Sequence, residues 1–172
     1  EGKLQKKYLA LAEGDLSEAN DSVFWKEIAI PLAPDPENPM KMTISPDGLL
    51  PGSRNAVTYY KNIKSFGNVT LVELQLETGR THQIRVHMAG IGHPLLGDTM
   101  YNPRACLKMS NRKEKKNTEG RINNRNDCFK RAALHAWKLT FCHPFTDEII
   151  TLEAPLPDDF CRFLNANEEE KT

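Results

Sequence analysis

Arg80, His82, Gln83 and Arg85 fall within six consecutive residues of this chain and bring two guanidinium groups, an imidazole and an amide to one short segment. The spacing around them predicts a helix over 81–91. Thr81 suits the N-cap, Ile84, Met88 and Ile91 recur at helical intervals, and Gly92 followed by His93-Pro94 reads as a stop. The four polar residues then crowd the first turn. Unpaired backbone N–H groups and the positive end of the helix dipole favour an anion there, so an arginine in that turn either binds phosphate or fixes a buried carboxylate. His82 and His87 are five positions apart, about 140° around a helix of 3.6 residues per turn, and do not form a metal-binding pair. Asp98, in the turn Leu96-Gly97-Asp98, reads as a residue that bonds its own backbone.

The elements that must position this segment are mostly strands. Val72, Leu74 and Leu76 alternate along Thr70 to Glu77, and Thr78-Gly79 breaks the pattern just before the helix. Arg54 to Ile63 reads as the preceding strand, joined through Ser65-Phe66-Gly67-Asn68 as a hairpin. Leu4 to Ala12 and Val23 to Ile30 read as further strands. Pro31, Pro34, Pro36 and Pro39 mark an extended loop before a short segment from Met40 to Ser45. His135, Trp137, Leu139 and Phe141 are expected on one face of a strand that turns at His143-Pro144 into Ile149 to Glu153, and Asp158 is placed to cap a last helix. Hairpins with few helices, and no βαβ alternation, predict an α+β domain built on a mostly antiparallel or mixed sheet.

Composition sets the outer bounds. With 39% hydrophobic and 27% charged residues in 172, the chain fits one ordinary globular domain, and no apolar run approaches the roughly 20 residues needed to cross a bilayer. Cys106, Cys128, Cys142 and Cys161 include no closely spaced pair, which points to reduced thiols and away from a zinc ribbon. The formal charge is zero, yet ten basic residues face only three acidic ones between Asn102 and Arg131. A basic loop over 102–131, carrying Arg112, Lys113, Lys115 and Lys116, can lie along an RNA backbone or stand solvated, while residues 166–172 form an acidic tail.

The run Thr78 to Tyr101 closely resembles the C-terminal motif of the RluA-type pseudouridine synthases, which isomerise uridine in structural RNA. Similar blocks extend it: Lys6-Lys7-Tyr8-Leu9-Ala10, Ala56-Val57-Thr58-Tyr59-Tyr60, Arg131 to Ala136 and Thr140 to Pro144. The resemblance implies the pseudouridine synthase catalytic fold, present here in part over residues 1–165. It implies chemistry without cofactor or metal, a structured RNA partner such as rRNA or tRNA, a cytoplasmic setting and a monomer when complete. Matched onto this sequence, Arg85 is implied to pair with the family's nucleophilic aspartate, Tyr8 to abut the target base, and Ile84 to line its pocket. Arg80, His82 and Gln83 are implied neighbours of the RNA, with Arg112, Lys113, Lys115 and Lys116 as backbone contacts. The His-Arg-Leu-Asp motif that carries the family nucleophile does not occur in these residues, so the segment alone is expected to be inactive. A non-catalytic RNA-binding remnant is the alternative. A small hydrolase using His82 or His135 near Asp98 lacks any nucleophile motif.

Overall fold

The computed structural model describes residues 4–16, 24–105 and 129–168. Six strands, β1 (Gln5–Glu13), β2 (Lys26–Ala29), β5 (Val57–Ser65), β6 (Val69–Leu76), β7 (Leu134–Cys142) and β8 (Ile149–Glu153), form one sheet in the order β2-β5-β6-β1-β7-β8. Each neighbouring pair is antiparallel. Two short strands, β3 (Leu32–Pro34) and β4 (Met42–Ile44), pair separately, and helices α1 (Gln83–Gly90) and α2 (Asp158–Glu168) pack on opposite faces of the large sheet. The α+β class is therefore as expected.

Register divides the core. Tyr8, Ala10 and Ala12 on β1 share a face with Val72 and Leu74 on β6, and that face packs against Ile84 and Met88 of α1. Leu9 and Leu11 point the other way, with Val69 and Leu71, onto Phe160 and Phe163 of α2. β6 is accordingly buried on both faces along most of its length, as a central strand should be. Val86, on a third side of α1, meets Leu32 and Ala56, with Met42, Ile44 and Tyr101 packed around them. Such burial holds an eight-residue helix that would be marginal alone in water.

Two local expectations are corrected. The proline-rich stretch contains β3, which tolerates Pro34 because the residue ends a two-stranded edge. β7 does not keep one face: Tyr8 opposes Ala136 while Lys7 opposes Lys138, leaving Trp137 as the extra residue of a bulge. His135 thus shares the Leu9 face, whereas Leu139 pairs with Lys6 on the Tyr8 face. Glu73, on the face of β6 opposite Val72 and Leu74, is buried at 4% exposure, with Lys7 and Lys61 each 2.9 Å from its carboxylate.

The helix stop is as read. The N–H of His93 bonds the Met88 carbonyl and that of Gly92 the Ala89 carbonyl, with Gly92 at φ 87, the paired bonds of a Schellman turn. The start is not. His82, rather than Thr81, occupies the N-cap, in a left-handed conformation at φ 55 with no side-chain cap bond.

Candidate active-site cleft

Gln83 explains that start. Its side chain is 2% exposed, and its Oε1 accepts from the Arg80 N–H and the Thr78 hydroxyl, both at 2.9 Å. Its Nε2 donates to the Val57 carbonyl at 2.9 Å and to Thr58 Oγ1 at 3.0 Å. One amide therefore braces the turn before the helix and also ties the helix to β5. The network runs on: Thr58 Oγ1 lies 2.8 Å from His87 Nδ1, and His87 Nε2 lies 2.9 Å from the Ile30 carbonyl. A carbonyl can only accept, so Nε2 carries the proton and Nδ1 receives the Thr58 hydroxyl. Burial holds this imidazole neutral, with its pKa below the usual 6.5.

Arg85 leaves the helix on the side facing the turn after Pro94. Its Nε donates to Asp98 Oδ2 and its Nη2 to Asp98 Oδ1, each at 2.7 Å, a side-on bidentate pair. Asp98 is completely buried at its side chain and Arg85 is 20% exposed. Oδ1 of Asp98 also accepts the N–H groups of Met100 and Tyr101, at 3.0 and 3.2 Å, the local bonding expected of an Asp in this turn. Burial by itself would raise the Asp98 pKa, but the Arg85 bonds and charge with these two N–H groups outweigh it and hold the carboxyl below its usual value. Among the described residues Arg85 Nη1 has no partner.

Tyr101 completes the cluster. Its ring lies under the guanidinium, 4.8 Å from Cζ. Its Oη accepts the Met42 N–H at 3.0 Å and is hydrogen-bonded to His82 Nδ1 at 2.8 Å. Burial and the Arg85 charge, against a smaller pull from Asp98, keep the His82 pKa below 6.5. His82 holds its left-handed backbone at a cost of roughly 1–2 kcal/mol for a residue with a Cβ.

Tyr8 and Ile84 belong to one packed cluster. Beside Tyr8 the bulge opens a cleft of about 390 Å³, lined by Lys6, Tyr8, Ala136, Leu139 and Leu152. Burial raises the Tyr8 hydroxyl pKa, and that hydroxyl makes no hydrogen bond among the described residues. Arg80 is exposed and rests its Nε on the Asn55 carbonyl at 3.1 Å. Gln83, expected beside RNA, has every polar atom bonded inside the protein. Arg112, Lys113, Lys115 and Lys116 lie outside the described residues, as does most of the basic loop. The Asp98 partner of Arg85 and the role of Tyr101 were not read from sequence, although both residues close the motif that contains Arg85.

Comparison with known proteins places the chain in a family. Residues 1–90 match the family model described as RNA pseudouridylate synthase. The chain is 40% identical over 164 residues to ribosomal large subunit pseudouridine synthase D of Haemophilus influenzae, covering 95% of this chain and 45% of that protein. It is 38% identical over 159 residues to an uncharacterised RNA pseudouridine synthase, YlyB, of Bacillus subtilis, covering 92% and 43%. The solved structure of human RNA pseudouridylate synthase domain containing 4 superposes with a TM-score of 0.67 at 26% identity, over 96% of this chain and 62% of that one. The chain thus spans under half the length of both bacterial relatives.

Proposed function

The chain belongs to the RNA pseudouridylate synthase family, in its RluA-type branch, and from that premise we propose that it forms the base-binding side of an enzyme that isomerises uridine to pseudouridine in structured RNA. The observation that carries the reading is Arg85, whose Nε and Nη2 are taken by Asp98 while Nη1 is unpartnered among the described residues. A guanidinium held side-on keeps its end-on edge for a second anion. We assign that edge to the nucleophilic aspartate that the family resemblance implies. An opposite charge within about 4–6 Å keeps such a carboxylate ionised and ready to attack.

The reaction is an isomerisation. The aspartate attacks the sugar carbon as the C–N glycosidic bond breaks, the uracil turns against the Tyr8 ring in the cleft, and its ring carbon forms the C–C bond as the bond to the aspartate breaks. The ring carbon that gains the sugar gives up a proton and the freed nitrogen gains one, so composition is unchanged and no oxidant or external group is required. Ile84 backs Tyr8, and an aromatic wall tolerates a base that rotates. Arg80, Arg112, Lys113, Lys115 and Lys116 are assigned to the RNA, Gln83 to holding the helix beside them, and His82, whose ring bonds Tyr101, to the protein side of the site. Ribosomal RNA is the first candidate because relatives carry that substrate in their names, with transfer RNA second, and the setting is the cytoplasm.

No His-Arg-Leu-Asp segment occurs in the 172 residues, so the nucleophile is assigned to sequence outside them. The same observation favours the second reading, a non-catalytic RNA-binding role. The test is pseudouridine formation in ribosomal RNA by this chain alone and by a protein that also contains such a segment. The proposal expects product only from the second. Product from the chain alone, lost in Asp98→Ala, would put the nucleophile at Asp98. RNA binding without product from either would establish the non-catalytic reading.

A further inference from the structure

Arg85 is gripped from two directions, and the two grips fix different degrees of freedom. Asp98 meets Nε and Nη2 in the guanidinium plane and so sets where the group lies within that plane. Tyr101 lies against the face at 4.8 Å and so sets its tilt. Tyr101 is itself secured through Oη, which takes the Met42 N–H and is hydrogen-bonded to His82 Nδ1. His82 makes that bond from a left-handed N-cap, a conformation uncommon for a residue with a Cβ.

Strain retained beside a half-open cationic group suggests that the bond it permits serves the site rather than the helix. Stability supports the same division. The helix start is already held by Gln83, whose Oε1 takes the Arg80 N–H and whose Nε2 reaches β5. The His82–Tyr101 bond instead joins the first turn of α1 to the turn that carries Asp98, 19 residues on.

We propose that Tyr101 is a positioning residue that acts through Arg85, and that His82 is the strap holding Tyr101 in place. The pair keeps Nη1 of Arg85, unpartnered among the described residues, aimed at the position of the second carboxylate. This inference rests on the pseudouridine synthase reading and deepens it, since neither residue touches the base. Its signature is a chemical step that fails while substrate binding and folding stay intact.

The experiment uses a protein containing the His-Arg-Leu-Asp segment, with single-turnover product formation, RNA affinity and melting measured for each variant. Tyr101→Leu removes the ring and should slow the step about 100-fold, the scale expected when a reacting group moves by about an ångström. Tyr101→Phe keeps the ring, loses only the His82 and Met42 bonds, and should recover to within about fivefold of the parent. His82→Gly relieves the positive φ, so melting should hold or rise, while the rate still falls about fivefold. RNA affinity should stay within about twofold throughout, because phosphate contacts elsewhere dominate it. A Tyr101→Leu rate within twofold of the parent would overturn the inference, as would losses that track melting alone. Should the parent form no pseudouridine, the function reading fails, and the ¹⁵N order parameter of Arg85 Nε in the present chain decides the positioning claim. A high value that falls in Tyr101→Leu and persists in Tyr101→Phe supports it. An equal value in all three overturns it.

Discussion

Helix α1 carries two polar clusters that use similar side chains to opposite ends. On the β5 side, Gln83, Thr58 and His87 form a closed chain in which each donor and acceptor is matched, ending on the Ile30 carbonyl. On the other side, Arg85, Asp98, Tyr101 and His82 are bonded as tightly, yet among the described residues one corner of the guanidinium stays unmatched, and one-fifth of the side chain meets solvent. Satisfied polar groups in a core specify a structure. A charged group that is rigidly held and incompletely satisfied can receive a substrate or another catalytic group. The first cluster is scaffold for the second.

The comparison breaks most visibly when Arg85 is removed. Arg85→Met strands the Asp98 carboxylate, which is fully buried, and breaking a buried pair from one side costs about 3–5 kcal/mol. Chemical denaturation should show this loss, and adding Asp98→Asn should recover at least half of it. A cost under about 1 kcal/mol for the single variant would mean that the pair is solvated. Gln83→Leu comes next. It leaves the Arg80 N–H and the Val57 carbonyl without their partner, and the denaturation midpoint should fall by the equivalent of about 2 kcal/mol. The effect on RNA affinity should be small if Gln83 is scaffold, and a large affinity loss at unchanged stability would return it to the RNA-facing set.

A smaller effect follows from pH. His87 has its native pKa depressed by burial, so the unfolded chain takes up a proton first as pH falls below about 6.5, and stability drops from there down to the depressed value. Above 6.5 the contribution is fully present. His82 is lowered in the same sense and adds to the slope. Urea midpoints taken from pH 8 to 5 should show this decline, reduced in His87→Gln, and a flat profile would contradict a neutral buried imidazole. The weakest effect concerns the basic loop. Changing Arg112, Lys113, Lys115 and Lys116 to Ser should weaken RNA binding uniformly across sequences and flatten its salt dependence by up to about one unit of slope per lost phosphate contact. An unchanged slope would mark the loop as solvated.

Sequence made the local features legible. The β5–β6 and β7–β8 hairpins, the β1 strand and the Gly92 stop all follow from residues within a few positions of one another. What escaped depends on distant partners. Thr81 has the chemistry of a cap, but the N-cap falls at His82, and Gln83 braces the preceding turn through the Arg80 N–H while β5 offers its amide two further bonds. Trp137 becomes the bulge residue only through pairing with Lys7 and Tyr8, far away in the chain. Glu73 is buried because Lys7 and Lys61 flank it from neighbouring strands, which alternation along β6 cannot show. At the site, the motif located Arg85, Tyr8 and Ile84, yet the Asp98 and Tyr101 grip arises from how the turn after Pro94 folds back on α1.

The central claim is that Arg85 offers a directed guanidinium edge and not merely a positive charge. Arg85→Lys in a protein that contains the His-Arg-Leu-Asp segment tests it most directly, because lysine keeps the charge and loses the fork. Measured under single-turnover conditions with saturating enzyme, pseudouridine formation should fall by at least about 100-fold, the cost of a misplaced reacting group, while RNA affinity stays within a few-fold of the parent. Near-parental turnover by Arg85→Lys would show that charge alone suffices and that the side-on pairing with Asp98 has no bearing on the chemistry.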